Sequence, residues 1–301
     1  MINISDLTEL CIKLGCKIHT DCYLKDYTTF KIGGRCSAIV DAASAEDAAE
    51  LVKYFRANNM KYTVLGRGSN ILASDEGYNG VILHLGGDFS KVDVYGTKLT
   101  AQSGASLSAV CVKAQQNGLS GMENLYGIPG SVGGGLFMNA GAYGTEMKDV
   151  VVSAEYIDEN GVLKVISVDE MMLSYRRSIF SERNCIVTSV TFALTEGDPN
   201  SIKESMNECM RKRTSKQPLE YPSAGSTFKR PEGSYASLLI EKCGLKGQSV
   251  GGAQISEKHS GFVINTGNAT FADVMELCEK VKNTVMEKTG YSLELEPIIL
   301  K

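Results

Sequence analysis

The segment Gly127-Ile128-Pro129-Gly130-Ser131-Val132-Gly133-Gly134-Gly135-Leu136-Phe137-Met138-Asn139-Ala140-Gly141-Ala142-Tyr143-Gly144 constrains this chain more than any other. Seven of its eighteen residues are glycine and none is charged. Glycine tolerates positive φ and lets a ligand touch the backbone, but it loses more conformational freedom on folding than any other residue. So dense a run is expected where bare N–H groups approach something anionic, such as a diphosphate. A set of tight turns is the plainer reading of a short glycine cluster. The length, the neutrality and the interleaved Asn139 and Tyr143 favour a cofactor cradle.

The run carries neither the lysine of an ATP-binding loop nor the Gly-x-Gly-x-x-Gly spacing of a dinucleotide-binding strand and helix. A second loop, Gly66-Arg67-Gly68-Ser69-Asn70, follows the strand-like Tyr62-Thr63-Val64-Leu65. Two such loops suit a ligand with a diphosphate and a long body, and neither suits a nucleoside triphosphatase.

At 301 residues and 43% hydrophobic, the chain can bury one large core or two to three smaller ones. A formal net charge of −4 offers nucleic acid no global field. The one basic cluster, Arg211 to Lys216, reads as a solvated helix end, although one member could serve an anionic substrate. No apolar stretch reaches membrane-spanning length and the N-terminus has no signal-peptide pattern, so the expected compartment is the cytoplasm. Nine scattered cysteines without a Cys-x-x-Cys pair read as buried hydrophobes in a reducing compartment. Cys11, Cys16, His19 and Cys22 could bind zinc chemically, but their spacing lacks the paired knuckle of a structural site, and no metal is expected. No Gly-x-Ser-x-Gly elbow supports a serine hydrolase.

Periodicity predicts a helix over 41–59 capped by Ser44, with Ala48, Leu51, Val52 and Phe55 on its apolar face. Strands are predicted at 62–65 and 81–85, then as a hairpin at 92–95 and 98–101 around Gly96. A helix from Ser106 to Asn117 stops at Gly118. Strands at 150–158 and 163–168 flank an Asn160-Gly161 turn, and another runs over 185–194. Residues 196–200 break the pattern. A polar helix at 200–214 follows, and the chain closes with an amphipathic helix capped by Thr270 and Asp273 and ended by Gly290. The reading is an α+β chain, with two cofactor subdomains over 1–85 and 86–195 and a smaller third domain over 196–301.

Three polar groupings lie outside the glycine loops: Tyr175-Arg176-Arg177-Ser178, Pro222 to Lys229, and Leu293-Glu294-Leu295-Glu296-Pro297. Each alone reads as a surface arginine, a serine turn or an exposed strand. In order along the chain stand Arg67-Gly68-Ser69-Asn70, Ile128 to Gly134, Asn139 to Gly144, Tyr175-Arg176-x-Ser178, Ala224-Gly225-Ser226-x-Phe228-Lys229 and Leu293-Glu294-x-Glu296. This series closely resembles the UDP-N-acetylenolpyruvoylglucosamine reductase family, flavoenzymes of bacterial peptidoglycan precursor synthesis, over about residues 24–300. Tyr27 to Gly34 resembles the family's entry into its cofactor domain.

The resemblance implies noncovalent FAD in a two-subdomain fold of the vanillyl-alcohol-oxidase (PCMH) type, plus a smaller α+β substrate-binding domain. It places both glycine loops around the FAD diphosphate and ribityl chain: Gly66 to Asn70, Gly127 to Ser131, Gly133, Gly134, Asn139, Ala140, Gly141, Tyr143 and Gly144. Arg176, Ser226 and Glu296 match the family's catalytic residues; Tyr175, Lys216, Lys229 and Arg230 match substrate-side positions. The resemblance further implies that NADPH would reduce FAD and leave, that flavin N5 would then give hydride to C3 of UDP-N-acetylglucosamine enolpyruvate, and that Ser226 would give a proton to C2. Charge developing at C2 spreads into the carboxylate, where Arg176 and Glu296 stabilise it.

Glu294 and Glu296 share one strand face, so physics leaves either as the acid, while family position selects Glu296. Pro297 follows where the family commonly has valine, and Arg230 stands where some relatives carry asparagine. The chain resembles the branch without an inserted tyrosine loop. Gly251 to Phe262 is a candidate for uridine. The expected partners are small molecules, with no nucleic acid and no membrane insertion, and the expected state is a monomer. The competing readings are another flavoprotein oxidase of the same fold and a non-catalytic nucleotide-sugar-binding module.

Overall fold

The computed structural model describes residues 4–87 and 89–301. The chain forms two compact units. Unit 1 takes the described residues up to Thr20, with Ser37–Arg67 and Gly80–Lys212; unit 2 takes Asp21–Cys36, Gly68–Asn79 and Arg213–Lys301.

Unit 1 holds two hydrophobic cores. In the first, helix Ala45–Ala57 buries Ala48, Leu51, Val52 and Phe55 beside Val40, Val81 and Leu83. The helix is shorter than the 41–59 expected. Ser44 Oγ accepts the Asp47 N–H at 3.0 Å, and Asp41 instead ends the strand Arg35–Asp41. The Asp41 carboxylate meets His19 Nε2 at 2.8 Å and His84 Nδ1 at 2.5 Å, so His19 has a carboxylate partner rather than a thiolate cluster. Strand Tyr62–Leu65 pairs in parallel with Val81–His84, with Tyr62 opposite Val81, and leads directly into the first glycine loop.

The second core lies on an antiparallel sheet ordered Leu163–Ser167, Val151–Ile157, Ile186–Ala193, Lys98–Gln102, Val92–Tyr95. Gly96 (φ +57°) and Gly161 (φ +76°) make the expected turns. Helix Leu107–Gln116 packs Leu107, Val110 and Cys111 into this core, with Phe180 and Phe192 fully buried. Each such side chain contributes about 1.5–3 kcal/mol. The helix begins at Ser106, whose Oγ accepts the Ala109 N–H at 3.1 Å, and gives way to Gly118 at φ +65°.

Unit 2 gathers Phe30, Ile32 and Leu72 with Leu239, Ile240, Ile255, Val263 and the apolar face of helix Phe271–Thr289. Thr270 Oγ1 accepts the Asp273 N–H, and Asp273 accepts the Thr270 N–H, both at 3.0 Å. Gly290 ends the helix at φ +75°. A three-stranded antiparallel sheet, Ser249–Val250, Ala253–Ile255 and Val263–Asn265, packs beside it. Ile298–Leu300 pairs in parallel with Ile71–Ala73.

All nine cysteines are free, and all but Cys22 are buried. Burial pushes the Cys11, Cys111 and Cys278 thiols up to about 12. Among the described residues, no helix is long and apolar enough to cross a membrane.

Candidate active site

The first glycine loop presents a row of bare donors. Among the described residues, none of the N–H groups of Gly66, Arg67, Gly68, Ser69 and Asn70 has an acceptor in the chain. Gly68 sits at φ +60°, and a Cβ there would overlap the Tyr27 carbonyl oxygen. This position needs glycine for its conformation and its space alike. In unit 2, Thr29 N–H donates to Gly68 O at 3.2 Å, and Thr29 Oγ1 donates to Ser223 O at 2.7 Å. One threonine thus ties the glycine loop to the segment that leads to Ser226. Asn70 extends the tie: its Nδ2 donates to Glu296 O at 3.3 Å, and its carbonyl accepts the Ile298 N–H at 2.9 Å.

The long glycine run folds differently from its expected form. Ser131 caps a short helix, Val132–Phe137, its Oγ accepting the Gly134 N–H at 3.3 Å. Val132 N–H donates to Ala105 O at 2.8 Å, Gly133 N–H to Ser103 O at 2.9 Å, and Gly135 N–H to Ser131 O at 2.7 Å. In the stretch that leads into this helix, bare N–H groups remain at Gly127, Gly130 and Ser131 among the described residues. The glycines of the helix supply space: a Cβ at Gly133 would lie 2.6 Å from Ser103 Cβ, and one at Gly135 2.9 Å from Leu107 Cδ1. Gly66 meets the same region, since a Cβ there would overlap Ser131 Oγ. Real Cβ contacts are never so short, so both elements pack on bare backbone.

Beside this packing lie two buried hydroxyls, Ser103 Oγ and Thr188 Oγ1, that have no hydrogen-bond partner among the described residues. Ser103 N–H donates to Thr188 O at 2.8 Å, which sets the two side by side. A buried polar group without a partner costs about 1–3 kcal/mol, so this pair signals a polar ligand. Bare backbone donors, glycines that admit close approach and orphaned hydroxyls together fit a flavin dinucleotide.

Asn139, expected at the cofactor, is fully buried at φ +40° and spends its amide on the protein. Its Nδ2 donates to Glu146 Oε2 at 2.9 Å and to Ser174 O at 3.1 Å; its Oδ1 accepts the Lys148 N–H at 3.0 Å. Ala140 O accepts the Met147 N–H at 2.9 Å, and Gly141–Ala142 pairs with Thr145–Glu146, placing Tyr143 and Gly144 at a hairpin tip.

Arg176 stands on a turn held by this same segment. Ser174 and Arg177 exchange two backbone hydrogen bonds, both at 3.1 Å, with Tyr175 and Arg176 at the corners. Arg176 adopts φ +56°, and its guanidinium lies 4.9 Å from the centre of the Tyr175 ring. That backbone costs a non-glycine residue about 1–2 kcal/mol, so its surroundings must impose it. Asn139 holds one end of the turn at Ser174 O. Fully buried Ser178 holds the other, its Oγ donating to Phe137 O at 2.7 Å.

Unit 2 brings Ser226 close to Glu296. Phe228 bridges Leu295, Glu296 N–H donates to Thr227 O at 3.0 Å, and Lys229 N–H donates to Glu294 O at 2.9 Å. Ser226 is exposed between Gly225 (φ +77°) and buried Thr227, whose N–H donates to Gly261 O at 2.8 Å. The two acids differ plainly. Glu294 is exposed and pairs with Lys229 at 3.3 Å, whereas Glu296 is half-buried beside Thr227 and Asn70. Geometry therefore separates two carboxylates that strand alternation left equivalent. Arg230 lies over the Tyr235 ring at 4.8 Å, and Lys216 is exposed at the end of helix Pro199–Lys216.

Sequence reasoning noted Thr29 only as part of the Tyr27 to Gly34 motif, and it missed Ser103, Thr188 and Glu146. Ser103 and Thr188 have no local signature. Glu146 could have been noticed as the acid closing the glycine-rich hairpin.

Residues 36–167 match the family described as FAD binding domain, and residues 217–300 match UDP-N-acetylenolpyruvoylglucosamine reductase, C-terminal domain. UDP-N-acetylenolpyruvoylglucosamine reductase of Caldanaerobacter subterraneus subsp. tengcongensis is 47% identical over 97% of this chain and 96% of its own length. The enzyme of that name from Clostridium novyi is 47% identical over 93% of this chain and 91% of its own. The crystal structure of UDP-N-acetylenolpyruvylglucosamine reductase from Thermus caldophilus superposes with a TM-score of 0.81 at 36% identity, covering 95% of this chain and 99% of that one. With its α+β fold, cofactor cradle and both domain matches, the chain belongs to the UDP-N-acetylenolpyruvoylglucosamine reductase family.

Proposed function

We propose that this protein uses NADPH and FAD to reduce UDP-N-acetylglucosamine enolpyruvate to UDP-N-acetylmuramate, a step in peptidoglycan precursor synthesis. Family membership across nearly the whole chain carries this reading. Gly66 to Asn70 with Gly127, Gly130 and Ser131 would hold the diphosphate through backbone donors, and Ser103 and Thr188 would each donate a hydroxyl. When bound, FAD supplies reversible two-electron chemistry, the means of moving a hydride equivalent from NADPH to C3 of the enolpyruvyl group.

The side chains serve the substrate. Arg176 binds its carboxylate, always charged and able to fork onto two oxygens. Glu296, in its acid form, donates to the same oxygens as charge builds at C2, an interaction stronger in the transition state than in the ground state. Ser226 delivers the proton to C2, and its exposed position leaves the hydroxyl open to substrate or water that tunes it. Tyr175, Lys216, Lys229 and Arg230 contact the sugar nucleotide. Lys229 keeps Glu294 occupied, which supports Glu296 as the acid.

The division into cofactor parts over 1–85 and 86–195 and a substrate part over 196–301 belongs to the same proposal. It is supported by three hydrophobic cores drawn largely from those ranges. A cytoplasmic bacterial monomer completes the reading. The test is NADPH oxidation by the purified yellow protein. Consumption dependent on the enolpyruvyl sugar nucleotide, with a product two hydrogens heavier, is expected. Equal consumption with and without it identifies an oxidase instead, and a colourless protein that takes up no FAD ends the flavoenzyme reading.

A further inference from the structure

The hairpin that ends the glycine run delivers a carboxylate toward the Arg176 turn. Glu146 lies on the strand Thr145–Glu146, paired with Gly141–Ala142. Its Oε2 accepts from Asn139 Nδ2 at 2.9 Å and pairs with Lys148 Nζ at 2.9 Å. That Asn139 amide is the one that also donates to Ser174 O, the first residue of the turn carrying Arg176. One buried side chain therefore sets both the carboxylate and the turn.

Lys148 foremost, working against burial, and then Asn139 and the charge of Arg176 hold the Glu146 carboxyl below the usual range. It is ionised at neutral pH and feels the Arg176 cation. Lys148 takes part of its charge, so the carboxylate can orient the guanidinium without neutralising it.

We propose that Glu146 is a positioning residue for Arg176, its carboxylate pinned by Asn139 so that the guanidinium is aimed before substrate arrives. This rests on the role given to Arg176 under the proposed reaction. Preorganisation of this kind matters because a guanidinium fork discriminates by direction, whereas an ammonium acts as a point charge. The plainer role for Glu146 is structural, since its N–H donates to the Asp149 carboxylate and its own carboxylate accepts the Asp149 N–H in a reciprocal cap of the turn at Met147–Asp149. The test must separate the two.

Glu146→Gln keeps the shape and an acceptor for Asn139 while removing the charge. In rapid mixing with the holoenzyme, it should slow flavin reoxidation by UDP-N-acetylglucosamine enolpyruvate by about tenfold. Bleaching by NADPH and FAD affinity of the apoprotein from flavin fluorescence should be unchanged, and the thermal midpoint should fall by no more than about 2–4 °C, the cost of one partly exposed ion pair. In an Arg176→Lys background, where no planar fork remains to be aimed, the same substitution should cost less than about twofold. Equal slowing in both backgrounds, or slowing accompanied by FAD release, would overturn the inference in favour of a structural role. If the wild-type flavin is never reoxidised by the enolpyruvyl sugar nucleotide, the reaction itself is misassigned and this inference falls with it. That result is distinct from either of the others.

Discussion

At Gly66–Asn70 five consecutive N–H groups meet no acceptor among the described residues, whereas at Val132–Gly135 each N–H is taken up by Ala105, Ser103 or Ser131. Both segments are glycine-rich and uncharged but for Arg67, and in sequence both read as phosphate cradles. The first uses glycine to expose backbone. The second uses glycine chiefly to let a helix press against Ser103 and Leu107, and through Phe137 and Asn139 it grips the turn of Arg176. Glycine density alone therefore does not distinguish a ligand contact from a close-packed scaffold; the destination of each N–H does.

Substitutions along the two segments break or sharpen that contrast. Gly68→Ala should have the largest effect, because φ +60° and the Tyr27 carbonyl leave a Cβ no place. A loss of about 3 kcal/mol or more is expected, with FAD lost from the purified protein. A wild-type thermal midpoint with bound flavin would contradict the close approach of this loop to the Tyr27 carbonyl. Gly133→Ala should cost less, about 1–3 kcal/mol, as a methyl 2.6 Å from Ser103 Cβ forces the helix outward. Chemical denaturation measures it, and an unchanged midpoint would show that the helix does not need its close approach. Gly134→Ala should do least. Its N–H is already capped by Ser131, the nearest foreign atom to a Cβ is Ser131 Oγ at 3.3 Å, and alanine favours a helix by about 0.5–1 kcal/mol. Stability within about 0.5 kcal/mol of wild type and unchanged FAD affinity are expected; a large loss of affinity would put that N–H on the cofactor.

Local chemistry was legible and remote chemistry was not. Ser44 and Thr270 cap the helices they were expected to cap, the helix expected from Ser106 begins there with Ser106 as its cap, and Gly118 and Gly290 end theirs, because caps depend on neighbours three or four residues away. Helix Val132–Phe137 was illegible because three glycines suppress helix propensity, and only its burial against Leu107 and Met147 offsets that. Thr29 acts on Ser223 across 194 positions, a distance no periodicity spans. Of the two acids near the C-terminus, alternation showed a shared face, but the Lys229 pair that occupies Glu294 required the fold. Arg176 carried no sign of its left-handed backbone, since the buried Asn139 and Ser178 that impose it lie outside the turn.

The account's central claim is that the bare backbone donors at Gly66–Asn70, Gly127, Gly130 and Ser131 serve the cofactor, while Arg176, Ser226 and Glu296 serve the substrate. Rapid mixing of the Ser226→Ala holoenzyme tests this most directly, because the two half-reactions are read separately from flavin absorbance. NADPH should bleach the variant at the wild-type rate, and reoxidation by the enolpyruvyl sugar nucleotide should fall by at least about a hundredfold, the scale of a lost general acid. Reoxidation at the wild-type rate would remove Ser226 as proton donor and contradict the division of labour.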